Sequence, residues 1–166
     1  PVLLGHSYLW DHGMWESQII ALKRLGYRCI APDLPGHGLS GPLSSNYTAL
    51  KDLAELHHEL VQSLGITQYV IIGLSVGGMW GAHLAYNYPN EVKGLVIMDS
   101  FLGAEPEDTQ ARYMNLINAV SQVGFTPTLS KKISPFFFKQ NPSAKLVEAY
   151  EKRLQDIEVS RIPSIT

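Results

Sequence analysis

The sequence predicts an α/β fold. Short apolar runs bounded by turn residues alternate with longer stretches at helical spacing, the rhythm of strand–helix–strand units. The runs are near-continuous rather than in-out alternations, as expected for parallel strands covered by helices on both faces. With 166 residues, 45% hydrophobic and 17% charged, the chain carries enough apolar surface for one domain with a real core.

Each element follows from local pattern. Pro1 to Leu4 is an apolar run stopped by Gly5, and Tyr27 to Ala31 is a second, closed by Pro32-Asp33-Leu34-Pro35-Gly36; both read as buried strands. Between them Met14, Trp15, Ile19, Leu22 and Leu25 fall at helical spacing, with Gly26 as a C-terminal stop. A second helix, capped by Asn46 or Thr48, carries Leu50, Leu53, Leu56, Leu60, Val61 and Leu64 on one face before Gly65 ends it. Tyr69 to Ile72 is the next strand. A third helix runs from Gly77 to about Tyr88, where Pro89 halts it, and Val92 to Met98 is a further strand. From Gly103 the rhythm becomes helix after helix: Glu107 to Val123, a Pro-containing connection with Phe136, Phe137 and Phe138, then Ser143 to Asp156. Ile162 to Thr166 looks like the first residues of another strand. The expected division is residues 1–102 as core, 103–161 as a helical insertion and 162–166 as the start of the next core strand.

Composition narrows the function classes. A net charge of -2 without a block of like charges gives no footprint for nucleic acid or an anionic membrane. Cys29 is the single cysteine, so no internal disulfide forms, and no apolar run approaches the roughly 20 residues of a membrane span. These features fit a cytoplasmic setting and a small-molecule partner. Neither H-E-x-x-H nor a Cys/His cluster is present, and no metal or cofactor is called for.

The chemistry lies in Gly73-Leu74-Ser75-Val76-Gly77, a G-x-S-x-G placed directly between a strand and a helix. A turn this sharp strains the serine backbone and needs small residues two before and two after it. The strain pushes the Ser75 hydroxyl out over the sheet edge, and the next helix offers free N–H groups to developing negative charge. The rival is a Gly-rich connection with a solvated serine. A dinucleotide site fails on spacing, because three residues separate Gly73 from Gly77, and no Gly-Lys-Ser/Thr occurs.

Three further segments join this motif in order. They are Leu3-Leu4-Gly5-His6-Ser7-Tyr8, then Met14-Trp15, then Ala31-Pro32-Asp33-Leu34-Pro35-Gly36-His37-Gly38-Leu39-Ser40. Together they resemble the α/β-hydrolase superfamily over essentially the whole chain, and more narrowly its capped esterase and lactonase branch. The run GLSVGGM is similar to 3-oxoadipate enol-lactonases. The resemblance implies Ser75 as nucleophile and an oxyanion hole made by the backbone N–H groups of Val76 and Tyr8. Ser7 stands where the family usually has glycine, which bears on how the Tyr8 N–H is aimed.

The family orders its triad serine, acid, histidine along the chain. The usual acid and histidine are expected beyond Thr166. Asp99, after the Val92–Met98 strand, is where some relatives place the acid; the alternative is a strand-end or capping residue. None of the chain's own histidines reads as a general base: His57, His58 and His83 sit on helices, and His37 holds its own loop. His6 supports the oxyanion region, and His12 reads as solvated loop, with approach to the pocket as its alternative. The helical insertion resembles the family's cap, with Phe101, Leu102, Tyr113, Met114 and Phe136 to Phe138 available to line an apolar pocket, and internal packing as their alternative role. His6 and Leu74 complete the candidate substrate-binding set. The implied activity is ester or lactone hydrolysis through an acyl-enzyme on Ser75. Carbon–carbon hydrolysis, lyase or perhydrolase chemistry at the same site, and a non-catalytic ligand receptor, are the alternatives. Substrate identity and oligomeric state are not encoded legibly.

Overall fold

Four parallel strands form one sheet in the order β2-β1-β3-β4, with β1 Val2–Gly5, β2 Cys29–Ile30, β3 Tyr69–Leu74 and β4 Val92–Met98. This computed structural model describes residues 1–42, 49–138 and 141–161. The proposed caps Asn46 and Thr48 and the strand-like Ile162–Thr166 stretch lie outside them.

The central strands are apolar on both faces because both faces are covered. Leu3 and Ile71 point into a cluster with Leu53, Val61, Trp80 and Leu84 of helices α2 (Leu50–Ser63) and α3 (Val76–Asn87). Val2 and Leu4 point the other way, onto Trp15 with Met14, Ile19 and Leu22 of the α1 (Glu16–Arg24) layer. Period-2 geometry forces this split, since neighbouring side chains leave a strand on opposite sides. At the β4 edge the pattern fails: Val96, Ile97 and Met98 are 46%, 37% and 40% exposed. Helix α3 packs on this strand, with Ile97 against Gly78 and Leu95 against Gly81, and leaves these three part-exposed.

Local differences from the expected elements have local causes. The first helix opens as a 3-10 turn, His12–Trp15, because the Asp11 carboxylate accepts the Gly13 N–H at 2.7 Å and tightens the start. The second strand shortens to Cys29–Ile30, since it pairs only with β1 over Val2 and Leu3. Helix α2 begins after Ala49, whose N–H is accepted by Asp52 at 2.9 Å. The Phe-rich connection is itself helical, with α5 at Pro127–Ile133 and a 3-10 turn at Ser134–Phe137. Thr126 caps α5 through the Leu129 N–H, and Pro127 sits at the tolerated first position.

By internal contacts the chain divides into two compact units, Pro1–Glu105 and Pro106–Ile165. The second contains α4 (Glu107–Val123), α5 and α6 (Ala144–Gln155), packed around buried Val120, Ile133, Tyr150 and Leu154. Among the described residues, no helix is long and apolar enough to cross a membrane.

Candidate active site

The carboxyl ends of β1 and β3 mark the place where the sheet order reverses, the usual position of a ligand crevice in a parallel sheet. Ser75 sits there, between β3 and α3, with φ 53° and ψ −121°. It occupies the N-cap of α3, where a serine normally sits in the extended region and turns its oxygen onto the helix. Here it makes no side-chain capping bond, because the left-handed backbone points the hydroxyl elsewhere. A forgone cap and a left-handed residue each cost on the order of 1 kcal/mol, so the surrounding structure must hold the turn.

Glycines hold it by close approach. A Cβ on Gly73 would strike the Gly77 carbonyl oxygen, and one on Gly77 would strike the Gly5 carbonyl oxygen. A Cβ on Gly5 would come within 2.5 Å of Trp80 Cζ2 and 2.9 Å of Gly77 Cα. Gly5, read from the sequence only as a strand stop, is therefore the third member of an interlocked set. Hydrogen bonds fix the rest: the Ser75 N–H donates to Met98 O at 2.9 Å, and Ser75 O accepts from the Gly78 N–H at 2.9 Å and Ser100 Oγ at 2.7 Å. Ser100 was not visible as a site residue; nothing in its spacing marks it. The Val76 N–H is spent on no turn or cap hydrogen bond among the described residues.

The loop after Gly5 is a tight turn, closed by Trp10 N–H to Ser7 O at 3.1 Å, with Leu9 at φ 63°. The Tyr8 N–H also takes no such partner among the described residues. His6 is fully buried; its Nε2 accepts the Leu34 N–H at 2.8 Å, so its Nδ1–H donates to Ser7 O at 2.8 Å. Ser7 O and the Tyr8 N–H belong to one planar trans peptide, so holding the carbonyl fixes the line of the N–H. Burial pushes the His6 imidazole down to about 4, keeping it neutral as this bonding requires. His37 is likewise buried, and burial lowers it too. Its Nε2 accepts the Leu9 N–H at 3.2 Å and its Nδ1–H donates to Pro35 O at 3.0 Å. His12, expected in solvated loop, instead gives Asp33 both its backbone N–H, at 2.6 Å, and its Nδ1, at 2.9 Å. Burial raises Asp33, but the N–H groups of Leu39 and His12 and the His12 ring outweigh it and hold the carboxyl below its usual range. Asp11, His12 and Asp33 also offer ligand atoms within 4.8 Å of one another. Both Asp33 oxygens are already taken by these donors, so the cluster reads as a loop brace.

The family model described as alpha/beta hydrolase fold matches residues 1–163. The chain belongs to the alpha/beta hydrolase fold family. It is 44% identical over 89 residues to the magnesium-chelatase 30 kDa subunit of Rhodobacter capsulatus, covering 54% of this chain and 31% of that protein. Against 3-oxoadipate enol-lactonase 1 of Acinetobacter baylyi it is 35% identical over 78 residues, covering 47% and 28%. A solved thermophilic esterase from Thermogutta terrifontis, with malate bound, superposes at TM-score 0.84 and 23% identity, covering 99% of this chain and 61% of that one. The matched segments thus span about a third of these curated relatives.

Within this alpha/beta hydrolase chain the remaining candidates separate. Phe101 and Leu102, 48% and 57% exposed, line a cavity of about 570 Å³ together with Leu50, Met79, His83 and Tyr86; Ser75 does not line it. Leu74, the last residue of β3, is half-buried and packs with the Val2–Leu4–Trp15 cluster. Asp99 is exposed at φ 39°, at the end of β4. In the second unit Tyr113 is 52% exposed, whereas Phe137 packs on Tyr150 with ring centroids 5.0 Å apart, and Phe138 does so at 5.4 Å. His57 is a core residue, stacked on Trp80 at 4.0 Å with Nδ1–H donating to Leu53 O. His58 stacks on Tyr88 at 3.5 Å and meets Glu91, and His83 is exposed on α3.

Proposed function

We propose that the protein carrying this chain is a serine hydrolase that cleaves a carboxylic ester or lactone of a small, fairly apolar substrate through an acyl-enzyme on Ser75. The observation that carries this reading is the N-cap serine that forgoes capping: its left-handed backbone is strained, and its hydroxyl makes no capping bond to the helix it precedes. Ser75 Oγ adds to the carbonyl carbon, and the backbone N–H groups of Val76 and Tyr8 receive the oxygen as it gains charge. The alkoxide leaving group departs with a proton, and water then releases the acid. A histidine takes the Ser75 proton as general base, held by an acid partner. His6 and His37 are poor candidates because both nitrogens of each ring are already engaged. The Pro106–Ile165 unit is proposed as the family's cap, supported by the helices α4, α5 and α6 among its described residues and by its place in the chain after β4. A cytoplasmic location is part of the same reading.

The test is a fluorophosphonate probe on the full protein, with p-nitrophenyl acetate and short lactones as substrates. An adduct on Ser75 and turnover of either substrate are expected. A labelled protein inert to both substrates points to lyase, perhydrolase or carbon–carbon chemistry at the same serine. No adduct on Ser75 overturns the nucleophile and favours a ligand receptor built on this fold.

A further inference from the structure

We propose that His37 is a positioning residue for the Tyr8 amide, acting by locking the left-handed residue that follows it, Leu9. The inference rests on the reading of Tyr8 N–H as an oxyanion donor and adds the group that aims it from the far side of the turn.

The turn runs Ser7-Tyr8-Leu9-Trp10 and is closed by Trp10 N–H to Ser7 O at 3.1 Å. Its third residue has positive φ, so it belongs to the class whose middle peptide can turn over between two orientations. In this class that third position normally holds glycine or asparagine, because a side chain opposes the left-handed region. A leucine with nothing to hold it would relax, turning over the Tyr8–Leu9 peptide. What holds it is the Leu9 N–H, which donates to His37 Nε2 at 3.2 Å across 28 residues of sequence. His37 is set to accept because its own Nδ1–H is committed to Pro35 O at 3.0 Å. The Tyr8 ring stands edge-on to the His37 ring, centroids 5.6 Å apart, and the Leu9 side chain is 4% exposed.

Tyr8 is therefore flanked by two held peptides. His6 holds the preceding one through Ser7 O, and His37 holds the following one through the Leu9 N–H. The arrangement is reciprocal: the first loop lends His6 to Leu34 of the second, and the second lends His37 to Leu9 of the first. The Tyr8 N–H belongs to the first of the two held peptides, so His37 acts on it indirectly, by holding the turn conformation in which Ser7 O closes onto the Trp10 N–H.

The experiment compares His37→Gln, which keeps an acceptor near the position of Nε2, with His37→Asn, whose acceptor falls short, and His37→Leu, which has none. In the full protein, kcat for p-nitrophenyl acetate is expected to fall about 10- to 100-fold in the Leu and Asn variants with KM within about threefold, a share of what losing one donor costs. The Gln variant should recover most of kcat. Amide exchange read by NMR should speed up at Leu9 and Tyr8 in the Leu and Asn variants and return in Gln. Equal kcat in Gln and Asn, or an unchanged Leu9 amide without the acceptor, overturns the proposal. If the Leu variant does not fold, the Gln–Asn pair decides. An unmodified protein that fails to label Ser75 overturns the hydrolase reading instead, while the amide-exchange arm still decides whether His37 holds the turn.

Discussion

Ser75 and Leu9 both stand in the left-handed region, at φ 53° and 63°, and each lies at the carboxyl end of a central strand, yet they are held by different forces. The elbow at Ser75 is held by volume. Three glycines, Gly5, Gly73 and Gly77, leave no room for a Cβ, and the backbones they bring together allow one path only. The turn at Leu9 is held by two imidazoles: His37 accepts the Leu9 N–H, and His6, itself accepting from Leu34, donates its Nδ1–H to Ser7 O. A volume lock is indifferent to pH and intolerant of a methyl group. An imidazole lock tolerates volume but needs an unprotonated nitrogen.

The sharpest break in this comparison is chemical: Ser75→Ala should leave the fold intact and reduce ester turnover by at least about 10,000-fold, with the fluorophosphonate adduct lost. Adding one carbon to the volume lock comes next. Gly5→Ala should lower unfolding stability by about 3 kcal/mol, equally at pH 5 and pH 8, because the Cβ meets Trp80 and Gly77 and no titrating group takes part.

Acid should open the other lock. His6 binds a proton more weakly folded than unfolded, its folded value being pushed down to about 4. Its contribution is therefore complete above about pH 6.5 and is lost as pH falls toward 4, about 2 kcal/mol of it by pH 5. Asp33 and His37 also face His6. His57, likewise lowered to about 4 by burial, adds a loss of the same sign in the core. Exchange at the Leu34 amide, which donates to His6, separates the loop from that background; a Leu34 amide unaffected between pH 7 and 5 would remove the distinction between the locks. The smallest change is Asp33→Asn, which deprives the His12 or Leu39 N–H of an acceptor. It should cost about 1 kcal/mol by denaturant unfolding and flatten the acid dependence below pH 4.

Much of this molecule was readable without coordinates where neighbours in sequence are neighbours in space. β4 at Val92–Met98 and α4 at Glu107–Val123 keep their expected limits, because an apolar run and a 3.6-residue pattern are written in adjacent residues. The Gly73–Gly77 motif announces its turn for the same reason. The short Cys29–Ile30 strand and the helix at Pro127–Ile133 were less legible, since pairing length and packing set them rather than composition.

By itself, then, the sequence determined the alternating architecture, the strained serine and the glycines around it. Only the tertiary structure decided that Gly5 completes the steric lock, that Asp33 braces its loop, and which backbone groups His6 and His37, read from the sequence as loop supports, reach. The physical reason is distance along the chain: His6 meets Leu34, and Leu9 meets His37, only because parallel pairing of β1 with β2 lays two loops side by side that the sequence keeps 28 residues apart.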